Sequence, residues 1–420
     1  MESAVPTPNP WMILPFGLLL VAIALAPLLL PGWWHKHYPK VAYALGAITL
    51  GYYLFGLQAH HRVLEVAHEY VSFIGLIGSL YVVSGGIHIS VKGEATPLVN
   101  VVFLLIGAIS ANVLGTTGAS MLLLRPWLRM NKYRITAHHV VFFIFIVSNV
   151  GGCLTPIGDP PLFLGYLKGI PFWWVAEHCW PMWAVGLSIL LAMFYVVDSL
   201  NYLRAPKTVR ERETAHETWK FEGLPNLFFL AVILIAVFIN QPPFLRELLM
   251  VAAALGSYFT THKSVHEAND FNFHPIQEVA ILFIGIFATM MPALDWLESN
   301  AGLPASPSTA FFYWSCGSLS SVLDNAPTYL SFFSALVGAV HNADVPHLLA
   351  TQTLDVVAVS VAAVFFGANT YIGNGPNFMV KAIADHNKIH TPTFFGFVFK
   401  YTLPYLLPML VIVWWLFFRG

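Results

Sequence analysis

Gly151-Gly152-Cys153-Leu154-Thr155-Pro156-Ile157-Gly158-Asp159-Pro160-Pro161 lies between two apolar runs, Val140 to Val147 and Leu162 to Leu167, and its reading decides the fold. An acid, three prolines and three glycines at membrane depth cannot form continuous helix, because proline removes amide donors and glycine weakens the helix. Lipid does not tolerate exposed broken backbone. The segment is therefore expected to be buried in protein or to line a wet cavity, where freed carbonyls and Asp159 can bind an ion.

The surrounding composition supports that setting. Of 420 residues, 57% are hydrophobic and 10% charged, and the mean hydropathy is +0.69. Such a chain is too apolar for a soluble globule and is expected to be an all-α polytopic membrane protein. The net charge of -1, without a basic stripe, argues against a nucleic-acid partner. Cys153, Cys179 and Cys316 show no metal-like spacing, and no disulfide framework is expected. The first apolar run lacks a basic leader and reads as a retained helix rather than a cleaved signal.

The runs Trp11 to Leu30, Val41 to Leu57 and Tyr70 to Ile89 are each near the roughly twenty residues a spanning helix needs. Residues 98–130 have two apolar arms around Gly115-Thr116-Thr117-Gly118-Ala119-Ser120. Each arm is too short to cross a core of about 30 Å, so a re-entrant hairpin is expected. The broken segment 138–176 follows, then a span over about Met182 to Val197. Two basic loops, 125–134 (Arg125, Arg129, Lys132, Arg134) and 204–220 (Arg204, Lys207, Arg210, Arg212, Lys220), fall on one face of this topology. The positive-inside rule makes that face cytoplasmic and leaves the N-terminus, with Glu2, outside. A bacterial inner membrane is the expected location. Residues 225–240 and 247–261 form an outward and returning pair, the connection near Lys263 is again cytoplasmic, and 279–294 cross outward. The outer loops 295–307 and 341–350 carry Asp295, Glu298 and Asp344 but no Lys or Arg.

An internal repeat organises the chain. Phe73-Ile74-Gly75 recurs as Phe283-Ile284-Gly285, and Gly107 to Ser110 as Gly317 to Ser320. Val113 to Thr116 lines up with Val322 to Asn325, and Thr155-Pro-Ile-Gly-Asp-Pro-Pro161 with Thr370-Tyr-Ile-Gly-Asn-Gly-Pro376. The topology places the halves in opposite orientations, as inverted repeats of the kind secondary transporters use. Four parts follow: scaffold helices in 1–97, a first transport half in 98–200, a linker with second scaffold helices in 201–307, and a second transport half in 308–420.

Paired discontinuous segments meet near the midplane in this architecture. Here they are 114–120, 148–161, 323–329 and 367–378. They gather Thr116, Thr117, Ser148, Asn149, Thr155, Asp159, Ser320, Asp324, Asn325, Thr328, Asn369, Thr370, Asn374 and Asn377, with no Lys or Arg among them. An oxygen-rich, net-acidic set favours Na⁺ or a competing proton, with Asp159 and Asp324 as the metal-ion ligands. Helix N-termini can also hold a carboxylate without a basic side chain. Asp159 also reads as a cap of the second half-helix, and Asp324 as turn chemistry in Asp-Asn-Ala-Pro. Lys168 and Lys381 read as interfacial anchors, and Glu69, Glu278 and Asp355 as solvated span ends. His386 and His390, at metal-ligand spacing, read as a solvated turn.

Ser148-Asn149-Val150-Gly-Gly with Thr155-Pro-Ile-Gly-Asp159-Pro-Pro, together with Leu323-Asp324-Asn325-Ala-Pro327-Thr328, resembles the ion transporter superfamily. That group holds NhaD-type sodium/proton antiporters, arsenite pump subunits and citrate and dicarboxylate carriers, and the nearest resemblance is to its putative citrate transport or sodium/proton antiporter branch. The resemblance covers about residues 65–415. It implies a homodimer whose scaffold holds elevator-like transport domains. It also matches Asp159 to the acid of the Pro-Ile-Gly-Asp core of the antiporters, followed here by Pro-Pro-Leu. At the hairpin tips Gly-Thr-Thr-Gly and Asp-Asn-Ala-Pro replace the Ser-Asn-Thr of the dicarboxylate carriers. No nucleotide-binding or hydrolase motif is present, and neither an enzymatic activity nor a bound cofactor is expected. The expected function is Na⁺/H⁺ exchange in a lipid bilayer, with Na⁺-coupled uptake of citrate or another small carboxylate as the alternative.

Overall fold

The computed structural model describes residues 7–91, 95–204, 220–239, 241–300, 307–339 and 345–419. The positions assigned above to Glu2, Lys207, Arg210, Arg212 and Asp344 lie outside the described residues. Among the described residues the fold is helical, apart from one antiparallel pair, β1 (His88–Ser90) with β2 (Lys220–Glu222).

Near the N-terminus α1 (Leu14–Leu29) and α2 (Pro31–Gly51) precede α3 (His60–Gly85). Then come α4 (Pro97–Met130), α5 (Ala137–Ile146), the short α6 (Pro160–Leu167) and α7 (Trp174–Arg204). The second part holds α8 (Asn226–Ala236), α9 (Leu245–Thr260), α10 (Lys263–Ala268) and α11 (His274–Asn300). It continues with α12 (Thr309–Ser320), α13 (Asn325–Ala339), α14 (Val345–Thr351), α15 (Thr353–Phe366) and α16 (Gly375–His386), and closes with helix from Phe394 to Phe417. Among the described residues, six helices are long and apolar enough to cross a membrane, or seven if the pair 345–351 and 353–369, bent by 97°, is one span.

Length misleads for α4. A straight helix would put Asn100 and Asn131 roughly 46 Å apart at 1.5 Å per residue. Their side chains instead hydrogen-bond at 2.8 Å, and a β-carbon on Gly107 would lie 3.4 Å from Leu123. The two arms fold back on each other at Gly115, whose φ of 72° and ψ of 155° suit glycine alone. The expected tip at 114–120 narrows to this one residue, because the second arm resumes helix at Thr116. In the second half the non-helical tip is likewise only 321–324, with Asn325 to Tyr329 already helical.

The breaks are sheltered from lipid. Every residue of α5 from His138 to Ile146 is buried, as is α15 from Val356 to Phe366. Helices apolar all round belong in the centre of a protein. The same local pattern then occurs twice, offset by 215 residues: Thr155 Oγ1 accepts from Gly158 N at 3.1 Å, and Thr370 Oγ1 from Gly373 N at 3.1 Å. Each threonine also donates to a hairpin carbonyl at 2.6 Å, Asn112 in the first half and Ser321 in the second. A β-carbon on Gly158 would overlap the Gly152 carbonyl oxygen, and one on Gly373 would sit 2.7 Å from that of Gly367. The glycines are therefore required by close backbone approach.

The two ends of the helices carry separate sets of contacts. At one end Arg125 pairs with Asp270 at 3.3 Å, β1 pairs with β2, and Asn226 donates to the Gly86 carbonyl at 2.7 Å. At the other end Arg62 pairs with Asp295 at 2.7 Å, and Ser334 donates to Glu298 at 3.1 Å. One span-end acid is not solvated as expected. Glu69 is 8% exposed and pairs with Lys168 at 2.6 Å, which also makes Lys168 an ion-pair partner rather than a free anchor. Asp355 accepts from Thr309 at 2.5 Å.

Candidate functional site

Asp159 is the residue on which the broken elements converge. It occupies the position just before α6, yet its side chain makes no cap hydrogen bond to that helix. Its Oδ1 accepts from Thr116 Oγ1 at 2.7 Å and from Asn374 Nδ2 at 3.1 Å, and its Oδ2 from Asn325 Nδ2 at 2.5 Å. These donors come from the first hairpin, the second broken helix and the second hairpin. The capping alternative for Asp159 therefore fails on geometry, since both oxygens are engaged elsewhere.

Each partner stands at a helix start. Thr116 opens the second arm of α4, Asp159 precedes α6, Asn325 begins α13 and Asn374 precedes α16. Four helix N-termini thus meet at one carboxylate, and their partial positive ends favour its charge. Thr116 is fixed further by its amide, which donates to the Gly158 carbonyl at 2.8 Å. Asp159 is 1% exposed and its donors are all neutral.

An asparagine layer lies behind. Asn374 Nδ2 also reaches Asn149 Oδ1 at 3.1 Å and the Ser148 carbonyl at 3.2 Å. Asn149 Nδ2 donates to Asn377 Oδ1 at 2.6 Å, and Asn377 Nδ2 to the carbonyls of Gly367 and Thr370 at 2.8 and 3.0 Å. Ser148 Oγ lies 2.8 Å from Ser120 Oγ. These contacts tie the first break to the second and aim Asn374 at Asp159.

The remaining sequence-derived residues divide. Thr155, Ser320 and Thr370 brace backbone, Ser320 by donating to the Ala363 carbonyl at 2.6 Å, and Asn369 donates to the Ser321 side chain at 2.7 Å. Thr328 donates to the Asp324 carbonyl one turn back at 2.9 Å. Thr117 makes no hydrogen bond to Asp159; it lines a small crevice with Leu76, Ile77, Leu80, Ile157 and Phe163. Asp324 accepts from the Ala326 amide at 3.0 Å, which is turn chemistry at the start of α13. Its neighbour Asn325 is the tip residue that reaches Asp159, and the Asn325 Oδ1 beside it is buried without a partner.

Asn112 was not singled out by sequence. Its Nδ2 donates to the Gly151 carbonyl at 2.7 Å and its Oδ1 accepts from the Leu154 amide at 2.9 Å, holding the first break open. An amide in an otherwise apolar hairpin arm was the available signal. His138, His139 and Asp198 form a further buried group, with His139 Nε2 3.0 Å from Asp198. Arg134 forms a close ion pair with the same carboxylate, and its guanidinium lies 3.5 Å from His139 Nε2. A cation in that position occupies the place a metal would need, so the group is an ionic brace between the base of the hairpin and α7.

A family model described as "putative citrate transport" matches residues 6–418, and the chain belongs to that family. No curated protein matches the chain. The chain is thus an integral membrane protein of a secondary-transport family.

Proposed function

We propose that this member of the citrate-transport family exchanges a monovalent cation, Na⁺ foremost, for a proton at Asp159. The observation that carries this reading is a buried carboxylate whose three side-chain donors are all neutral. An ionised carboxylate out of water is costly without a counter-charge. Two species can supply one, a proton on the oxygen or a bound cation, and one oxygen cannot take both. Competition for Asp159 then couples the two fluxes when the site is exposed to each side in turn. The unpartnered Asn325 Oδ1 offers a second oxygen beside Asp159 Oδ2, as a hard cation prefers. On this reading the two halves are inverted repeats with re-entrant hairpins, and a homodimeric scaffold carries elevator-like transport units. The N-terminus and the Arg62–Asp295 end lie outside.

Na⁺-coupled carboxylate transport is the second reading, favoured by the family description and by the convergence of helix N-termini. Purified protein in liposomes with a trapped pH dye separates the two. Added Na⁺ or Li⁺ moves protons without citrate under the exchange reading. Silence in that assay, together with Na⁺-dependent uptake of labelled citrate, overturns it.

A further inference from the structure

Lys168 is the first residue beyond α6, the half-helix that starts at Asp159. Eight helical residues place it roughly 12 Å from the site on the same short rod. Its ammonium lies 2.6 Å from Glu69 and 4.0 Å from Glu65, both on α3. The charges continue outward in alternation. Arg62 sits 3.1 Å from Glu65 and 2.7 Å from Asp295 on α11, and the Tyr53 hydroxyl donates to Asp295 at 2.7 Å. Asp295, Arg62, Glu65, Lys168 and Glu69 therefore form one file across three helices. Among the described residues, Lys168 is the sole member of that file on the chain segment that carries Asp159.

The rest of the α6 contact is of a different kind. Apolar side chains of α6, such as Leu162, Phe163 and Leu164, are buried, and Tyr166 donates to the Val237 carbonyl at 2.9 Å. Apolar faces can slide, whereas an ion pair is made or broken. The Lys168 and Glu69 side chains keep 16% and 10% of their exposure, so water can replace each partner when they part. Discrete contacts of this sort at a packed interface create two states.

We propose that the Lys168–Glu69 pair is a latch: it locks the Asp159 half-helix against α3 in the state seen here and opens during each transport cycle. The latch rests on the alternating-access reading. The crevice lined by Ile77, Leu80 and Thr117, between α3 and the first hairpin tip, is the space whose exposure it controls.

Two measurements on the full chain in liposomes test this, and the first needs no transported ion. Ile77→Cys is labelled with a membrane-impermeant maleimide applied from the Arg62 side; the three native cysteines are buried. Adding Lys168→Met should raise the labelling rate about tenfold, between the effects of exposed and buried pairs. The charge-swapped Lys168→Glu/Glu69→Lys pair should restore the slow rate and shows that the fold tolerates change there. An unchanged rate in Lys168→Met overturns the latch. In the second, Glu69→Cys/Lys168→Cys is joined by a short reversible bis-thiosulfonate. Flux should stop and return with reductant; full flux in the joined protein overturns the latch. Absence of Na⁺/H⁺ flux in the unmodified protein would count against the exchange reading, while the labelling result would still judge the latch.

Discussion

Replacement of Asp159 by Asn separates transport from folding. Asp159 Oδ1 takes two donors and Oδ2 one. An asparagine can keep its oxygen toward Thr116 and Asn374, which turns its NH₂ toward Asn325 Nδ2. That donor–donor conflict is relieved by a half-turn of the Asn325 amide, whose Oδ1 has no other partner. One orphan group is exchanged for another, so Asp159→Asn should change stability by about 1 kcal/mol or less. Asp159→Ala should behave differently. Asn374 keeps Asn149 and Ser148 as acceptors, but Thr116 Oγ1 and Asn325 Nδ2 lose theirs. At about 1–3 kcal/mol per buried orphan the loss is about 2–6 kcal/mol. Transport should fail in both. Removing one partner of a buried charge pair costs about 3–5 kcal/mol, or roughly two to three and a half powers of ten in cation affinity. Na⁺-driven proton movement in liposomes and thermal unfolding in detergent read the two effects. Exchange by Asp159→Asn at the native rate would refute the assignment of the carboxylate. Destabilisation of Asp159→Asn equal to that of Asp159→Ala would refute the hydrogen-bond reasoning.

Gly115→Ala forces a side chain into φ 72°, ψ 155° and within 3.2 Å of the Ile157 carbonyl oxygen; a loss of about 1–3 kcal/mol is expected in thermal unfolding. Gly158→Ala and Gly373→Ala should both prevent normal assembly, because each β-carbon meets backbone, whereas Gly375→Ala, with open space around it, should leave unfolding and flux unchanged. Similar behaviour of all three would contradict the paired close approaches. Asp198→Asn removes the counter-charge of a buried Arg134 and should cost about 3–5 kcal/mol, while a chelator leaves the unmodified protein's unfolding temperature unchanged. Stabilisation by added Zn²⁺ would instead make the histidine pair a metal site.

The breaks and the hairpin tips were legible because proline, glycine and polar residues cannot persist in lipid-facing helix. Which polar residue faces inward was less so. Asp324 and Asn325 are adjacent, and both suit a turn or a ligand; the start of α13 at Asn325 decides that Asn325 turns to Asp159 and Asp324 to the Ala326 amide. Sequence carries the residue types but not this rotation. The pairing of Lys168 with Glu69 was hidden for another reason. Ninety-nine residues separate them, and a charge at the end of an apolar run looks the same whether it meets water or an opposite charge. Asn112 and the Arg134 network belong to the same class, since their partners are fixed only when the hairpin closes.

The matching local patterns bear on how many charges the exchange reading needs. Thr155 and Thr370, Gly158 and Gly373, Asp159 and Asn374 occupy matching places 215 residues apart, yet only the first half carries an acid there. Asn374 spends its amide on supporting Asp159. Under the exchange reading the protonated site and the Na⁺-loaded site are therefore both neutral, and the empty site alone bears a bare charge. Moving that charge through a low-dielectric interface costs several kcal/mol, whereas either loaded form avoids the penalty. On that reading a single carboxylate held by neutral donors would suppress return of the empty carrier. That suppression ties proton movement to cation movement, and it would be lost if a fixed lysine or arginine neutralised Asp159 in every state.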